Sequence, residues 1–177
     1  MTRVPDRRRV LGVLGVGAAA AVAGALLSAR FSREPDDVTT LRDASVTDLT
    51  GKRRSLLEWK GRVVVLNFWA TWCEPCREEI PAFVQVRDKL LQSGVEFVGI
   101  AIDQAAKVAQ FARAVRVSYP LLLADANGLD LMRKLGNPSG GLPFTVIIDR
   151  TGDLVFRNLG VVSRQKIEAQ LLGMIRS

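Results

Sequence analysis

Residues 62–81 read RVVVLNFWATWCEPCREEIP and hold the chain's only two cysteines, Cys73 and Cys76. Arg62 to Trp69 is an apolar, valine-rich run too short for a helix, the pattern of a strand buried on both faces. From about Cys73 to Gln92, apolar residues recur at helical spacing through Ile80, Phe83, Val84 and Leu90/Leu91, and Gly94 ends the helix. The thiols therefore sit where a buried strand hands over to a helix N-terminus, Cys76 almost one turn beyond Cys73. A bond between them closes a loop too short to restrict the unfolded chain much, so as a structural staple it adds little. The spacing points to redox chemistry.

Outward from this stretch, VEFVGIAID (95–103) reads as a second central strand. Val108, Phe111, Ala112 and Val115 mark one face of a helix that ends before Tyr119-Pro120. LLLAD (121–125) reads as a third strand and GLDLMRKLG (128–136) as a short helix. PFTVIID (143–149) and DLVFRN (153–158) are strands about an Arg150-Thr151-Gly152 turn, and Ser163 caps a last helix with inner face Ile167, Leu171 and Ile175. On the other side, residues 41–60 read as a short hairpin turning near Thr50-Gly51-Lys52. The polar residues 30–40 lack periodicity; the linker is taken as 30–37 and the folded domain as 38–177. The order ββαβαβαββα predicts an α/β domain, its central sheet largely parallel with an antiparallel edge from the terminal hairpin, and helices on both faces.

The formal charge of +7 does not indicate nucleic-acid binding, because its location is wrong. Six of the 25 basic residues, but only Asp6 of the 18 acidic ones, precede residue 34, which leaves 19 against 17 in the body. The basic cluster within residues 1–9 precedes a run from Val10 to Ala29 without a charge, long enough as a helix to cross a bilayer. The leading arginines predict a cytoplasmic N-terminus, and the domain on the far side. Residues 10–29 support two readings: an uncleaved signal anchor, which their length favours, or a cleaved signal, which small-residue triplets such as Ala21-Val22-Ala23 suit. Arg7-Arg8-Arg9-Val10-Leu11 also resembles the twin-arginine export pattern. Either way the domain meets an oxidising compartment, anchored at the inner membrane or free in the periplasm.

At a helix start the dipole and the unpaired first-turn amides favour a thiolate, so Cys73 is the expected nucleophile and Cys76, deeper in the helix, the resolving thiol. The shuttle needs no cofactor. Trp72 and Pro75 are expected to shape and partly desolvate the pair, Pro75 tolerating its missing N–H in the first turn. Glu74 disfavours a second negative charge beside Cys73, which destabilises the reduced form and predicts a reductant.

The stretches NFWATWCEPCREEIP (67–81) and GLPFTVIID (141–149) resemble thioredoxin-fold proteins of the TlpA/ResA/CcmG group, exported or membrane-tethered thiol-disulfide oxidoreductases. The resemblance covers roughly residues 38–177. It implies a thioredoxin-like fold with a mixed central sheet, an N-terminal β-hairpin and an inserted helix and strand over Ala105 to Ala124. It also implies a cis Leu142-Pro143 peptide opposite the cysteines, offering its backbone to an incoming chain, and a kink at Pro81. The implied substrates are disulfides of exported proteins, apocytochrome c among them, with a DsbD- or CcdA-like membrane protein as electron donor. Thioredoxins carry a buried aspartate where this chain has Asn67, so Asp103 or Glu79 would have to accept the resolving thiol's proton. The plainer readings make Glu79 a solvated helix charge and Asp103 a strand-end cap.

Two other chemistries compete. Two sulfurs and no histidine cannot complete a zinc site, whereas linear copper(I) binding by a carrier needs only the thiols, although a proline packed on the pair would obstruct it. A thiol peroxidase needs a peroxide cradle about one cysteine rather than a C-E-P-C pair. The absence of histidine removes hydrolase mechanisms of the Ser-His or Cys-His kind. Residues 136–141 (GNPSGG) lack the lysine and following helix of a phosphate loop and read as a flexible turn feeding Pro143.

Overall fold

The computed structural model describes residues 37–44, 46–124 and 128–175. The segment 10–29 read as an anchor or signal lies outside the described residues, as do the basic residues 1–9 and positions 30–36 of the linker. Among the described residues no helix is long and apolar enough to cross a membrane.

In chain order the elements are α1 (Asp37–Arg42), β1 (Val46–Asp48), β2 (Arg53–Arg54), a 3₁₀ turn (Leu56–Trp59), β3 (Val63–Trp69) and α2 (Glu74–Leu90). They continue with β4 (Val95–Ala101), α3 (Ala105–Val115), β5 (Leu121–Ala124), α4 (Gly128–Lys134), β6 (Phe144–Ile148), β7 (Leu154–Leu159) and α5 (Arg164–Ile175). The strands form one sheet in the order β2-β1-β5-β4-β3-β6-β7. Among the described residues only β3–β4 and β4–β5 pair in parallel, while the hairpin β1–β2, the pair β1–β5, and β6 with both its neighbours are antiparallel. The sheet is thus mixed rather than largely parallel. Strand–helix alternation implies parallel pairing only where a crossover returns to the same end of the sheet, and the chain leaving β5 instead lands on the far side of β3, running the other way.

Every residue of β3 is buried, as the apolar run requires of a central strand. Its side chains alternate between two cores. Val63, Val65 and Trp69 join Ile80, Phe83, Val86 and Leu90 of α2, Val108 of α3, and Ile167 and Leu171 of α5. Val64, Leu66 and Phe68 join Leu41, Leu56, Trp59, Leu131 and Met132 on the opposite face. Burial of each such large side chain contributes about 1.5–3 kcal/mol, which holds the layers together.

Two local expectations change near the domain's start. Asp37–Arg42 is a helix where the sequence reads as linker and hairpin; Leu41 is 4% exposed, so tertiary packing stabilises a segment too short to show a helical period. Residues 56–59 form a 3₁₀ turn started by a Ser55/Glu58 capping box, not strand. Lower in the chain Gly94 is left-handed at φ 83° and stops the 3₁₀ turn that follows α2.

Candidate active site at the start of the second helix

Cys73 is the N-cap of α2, with extended backbone (φ −88°, ψ 102°), and its Sγ accepts the Cys76 backbone N–H at 3.3 Å. The two cysteines are joined as a disulfide, their Cα atoms 5.3 Å apart. Cys73 keeps 6% of its surface exposed and Cys76 none, so of the two residues only Cys73 reaches solvent. Pro75 lies in the first turn, where its missing N–H leaves no helical bond broken. Glu74 is exposed beside it. Trp72 does not shield the pair: it is 67% exposed and offers apolar surface outward.

The Leu142-Pro143 peptide is cis. Phe144 lies across from Phe68 in the β3–β6 register, so this peptide sits level with Trp69, at the end of β3 that runs into the cysteine loop. Leu142 packs against the core cluster that contains both cysteines. The Pro143 carbonyl accepts the Gly160 N–H at 2.8 Å. Next to it Leu159 and Val161 are 57% and 49% exposed, an apolar rim. Glycine is required in the approach: Gly140 is left-handed at φ 66°, and a Cβ there would stand 3.0 Å from Leu129 Cδ2. The loop is not loose, since buried Asn137 donates from Nδ2 to the Gly141 carbonyl at 2.8 Å and accepts from Ser139 Oγ at 2.9 Å.

Glu79 is not a solvated charge; it is 3% exposed. Its Oε1 accepts from Asn67 Nδ2 at 2.8 Å and its Oε2 from the Val162 backbone N–H at 3.0 Å. Burial pushes its proton affinity up, to a pKa of about 7, against the opposing pull of those two donors. It stands three residues after Cys76 on one helix face, so the two buried groups are neighbours along α2. Asn67 Nδ2 also donates to Thr145 Oγ1 at 3.0 Å. Asp103 serves as the cap its plainer reading describes: it accepts from the Thr71 amide at 2.9 Å, the Thr71 hydroxyl at 2.5 Å and the Gln104 amide at 2.7 Å. Burial raises its pKa, but the hydrogen bonds, led by that of the Thr71 side chain, hold it below the ordinary carboxylate value.

The sequence does not single out Thr145, which reads as one more residue of the 143–149 strand, or Tyr119, which reads only as the end of a helix. The burial of Glu79 was legible: it falls three residues after Cys76 and four before Phe83, inside the apolar stripe of α2.

A thioredoxin-like α/β fold with a Cys-x-x-Cys disulfide at a helix start, beside a cis-proline, defines a thiol-disulfide oxidoreductase. The Redoxin family model matches residues 36–171, and the chain belongs to that family. A "Thiol-disulfide oxidoreductase ResA" of Bacillus cereus is 32% identical over 128 residues, 71% of each chain. The "Thioredoxin-like protein YneN" of Bacillus subtilis (strain 168) is 33% identical over 133 residues, 73% of this chain and 75% of that one. A crystal structure of a thiol:disulfide interchange protein of the thioredoxin family from Chlorobium tepidum TLS superposes with a TM-score of 0.64 at 30% identity, covering 75% of this chain and 94% of that one. The resemblance to the ResA group is thereby borne out, in family as in fold.

Proposed function

We propose that the protein is an extracytoplasmic disulfide reductase, tethered to or exported across the inner membrane, with Cys73 as nucleophile, Cys76 as resolving thiol and Glu79 as proton acceptor. The observation that carries this reading is the buried Glu79 carboxyl one helical turn behind the inaccessible Cys76, with Cys73 alone facing solvent.

In the reduced protein the Cys73 thiolate takes the place of the present sulfur and accepts the Cys76 amide hydrogen at the helix N-terminus. It attacks a substrate disulfide; one S–S bond breaks, a substrate thiolate leaves, and a mixed disulfide forms at Cys73. Glu79 then removes the Cys76 proton. The resulting thiolate attacks the Cys73 sulfur and expels the second substrate thiolate, so two electrons pass to substrate and the chain's own disulfide is restored. With a pKa of about 7, Glu79 exchanges this proton readily near neutral pH. Asp103, occupied by three donors in its capping role, is the poorer acceptor.

Trp72, Leu159 and Val161 form the apolar rim against which an extended substrate lies. Because Gly160 already occupies the Pro143 carbonyl, main-chain pairing with that substrate falls to Leu142. Exported proteins, apocytochrome c among them, are the proposed substrates, and a membrane dithiol protein of the DsbD or CcdA kind the electron donor. No cofactor beyond the cysteine pair enters the cycle.

Trapping tests this. Replacing Cys76 with Ser leaves the mixed disulfide at Cys73 unresolved, and mass spectrometry is expected to find exported cysteine proteins attached there. An empty trap together with wild-type protein that does not reduce insulin overturns the reading.

A further inference from the structure

Three buried polar side-chain atoms have no hydrogen-bond partner among the described residues: Asn67 Oδ1, Trp69 Nε1 and the Tyr119 hydroxyl. They gather in one place. Asn67 and Trp69 alternate onto the α2 face of β3, and Asn67 is the register partner of Gly99 on β4. A Cβ at Gly99 would stand 3.1 Å from Trp69 Nε1 and 3.3 Å from Tyr119 Cε2, so only the bare backbone lets the indole and the phenol close over this row. Glu79 reaches the same spot from α2, its Oε1 2.8 Å from Asn67 Nδ2. Its charge is felt at Tyr119, where burial first and that charge second drive the phenol's proton affinity up.

The chemistry of the group is complementary. The indole N–H and the phenol O–H are donors; the Asn67 Oδ1 and the second lone pairs of the Glu79 carboxylate are acceptors. Two donors and two acceptors, all on buried side chains grouped about the Asn67–Gly99 pair, match the four bonds of a single water. We propose that Tyr119, Trp69 and Asn67 hold one internal water against the Glu79 carboxylate, and that Tyr119 acts through it as a positioning residue for that carboxylate. The inference rests on the reading of Glu79 as proton acceptor. Tyr119 stays neutral throughout, a donor only, and transfers no proton itself.

This assigns a task to the span 105–124. Tyr119 lies between α3 and β5, and Phe111 of α3 packs on Trp69 with ring centroids 5.2 Å apart. The span thus roofs the polar group and supplies one of its donors. The proton affinity of Glu79 is set by burial, the Val162 amide and the Asn67 amide. Its helix neighbour Cys76 is held in the disulfide.

The test is the Glu79 carboxyl carbon shift followed by NMR against pH in the oxidised full chain. Tyr119→Phe removes the donor and is expected to raise the Glu79 midpoint by about half a pH unit, the effect of one neutral hydrogen bond. Phe111→Leu, which alters packing on Trp69 without removing a donor, is expected to leave the midpoint in place. An unmoved midpoint in Tyr119→Phe, or an equal shift in Phe111→Leu, overturns the proposal. In the wild type, a long-lived water is expected to show a cross-peak to the Trp69 indole proton, and its absence counts equally against the proposal, whatever the folding of the variants. Failure of the underlying reading looks different: Glu79→Gln would then exchange disulfides at the wild-type rate.

Discussion

Glu79 binds its proton more tightly in the folded chain than in the unfolded one, because burial removes the water that would solvate its charge. With a folded pKa of about 7 against an ordinary 4.5, the native state carries the extra proton between those values, so stability is fullest below 4.5 and falls as pH rises towards 7. The loss amounts to about 3 kcal/mol. Asp48, Asp103 and Asp149 are shifted downward, so their contributions are present above their ordinary value of 3.8 and do not vary between pH 5 and 8. The chain has no histidine to obscure the window. Urea unfolding of the oxidised protein at pH 5 and pH 8 is expected to show this loss, and Glu79→Gln to abolish most of it; an equal slope in the variant would place the titration elsewhere. Removing a general base in this way is also expected to slow insulin reduction by about a hundredfold. Glu74, exposed next to Cys73, acts in the opposite sense to the helix dipole. Glu74→Gln is therefore expected to lower the Cys73 pKa and raise the reduction potential, read by thiolate absorbance and glutathione equilibration; no movement in either removes Glu74 from the tuning.

At the scale of elements, the site is positioned by joints between strands and helices. Asp103 follows β4 yet grips Thr71 in the loop between β3 and α2, tying the cysteine turn to the neighbouring strand. Asp103→Ala is expected to cost about 1–3 kcal/mol in urea unfolding, from the Thr71 and Gln104 donors left unpaired, with a much smaller effect on exchange than Glu79→Gln. Should Asp103→Ala be the slower enzyme, the proton acceptor has been misassigned. At Gly99 a Cβ would meet Leu121 Cδ2 at 2.6 Å as well as the Trp69 and Tyr119 rings, so Gly99→Ala is expected to destabilise by about 1–3 kcal/mol. Unchanged unfolding of that variant would show that the rings can give way. Much of this layer was legible. Periodicity located β3, α2, β4 and α5, because each buries a continuous run or stripe. It missed α1, whose six residues are too few to show a period, and the reading of Glu79 as a solvated charge passed over its place between Cys76 and Phe83 in the apolar stripe of α2.

For the whole molecule, the motif and the cis-proline segment lie some 70 residues apart in sequence, and only the sheet's order brings them together, through β3 and β6 pairing at Phe68 and Phe144. The positions of the charges along the chain argue against nucleic acid, but the one-dimensional pattern carries no register and hence no sheet direction. That is why the alternation of strands and helices suggested a largely parallel sheet where the chain builds a mixed one. The polar group beneath α2 was equally hidden, as its members come from β3, α2, β6 and the residues before β5. The most direct measurement of the thiol assignment is alkylation of the fully reduced protein with iodoacetamide, followed by mass spectrometry across pH 5 to 8. Modification at Cys73, with Cys76 left unmodified until the chain is unfolded, is the predicted result. Equal labelling of the two thiols, or faster labelling of Cys76, would contradict it.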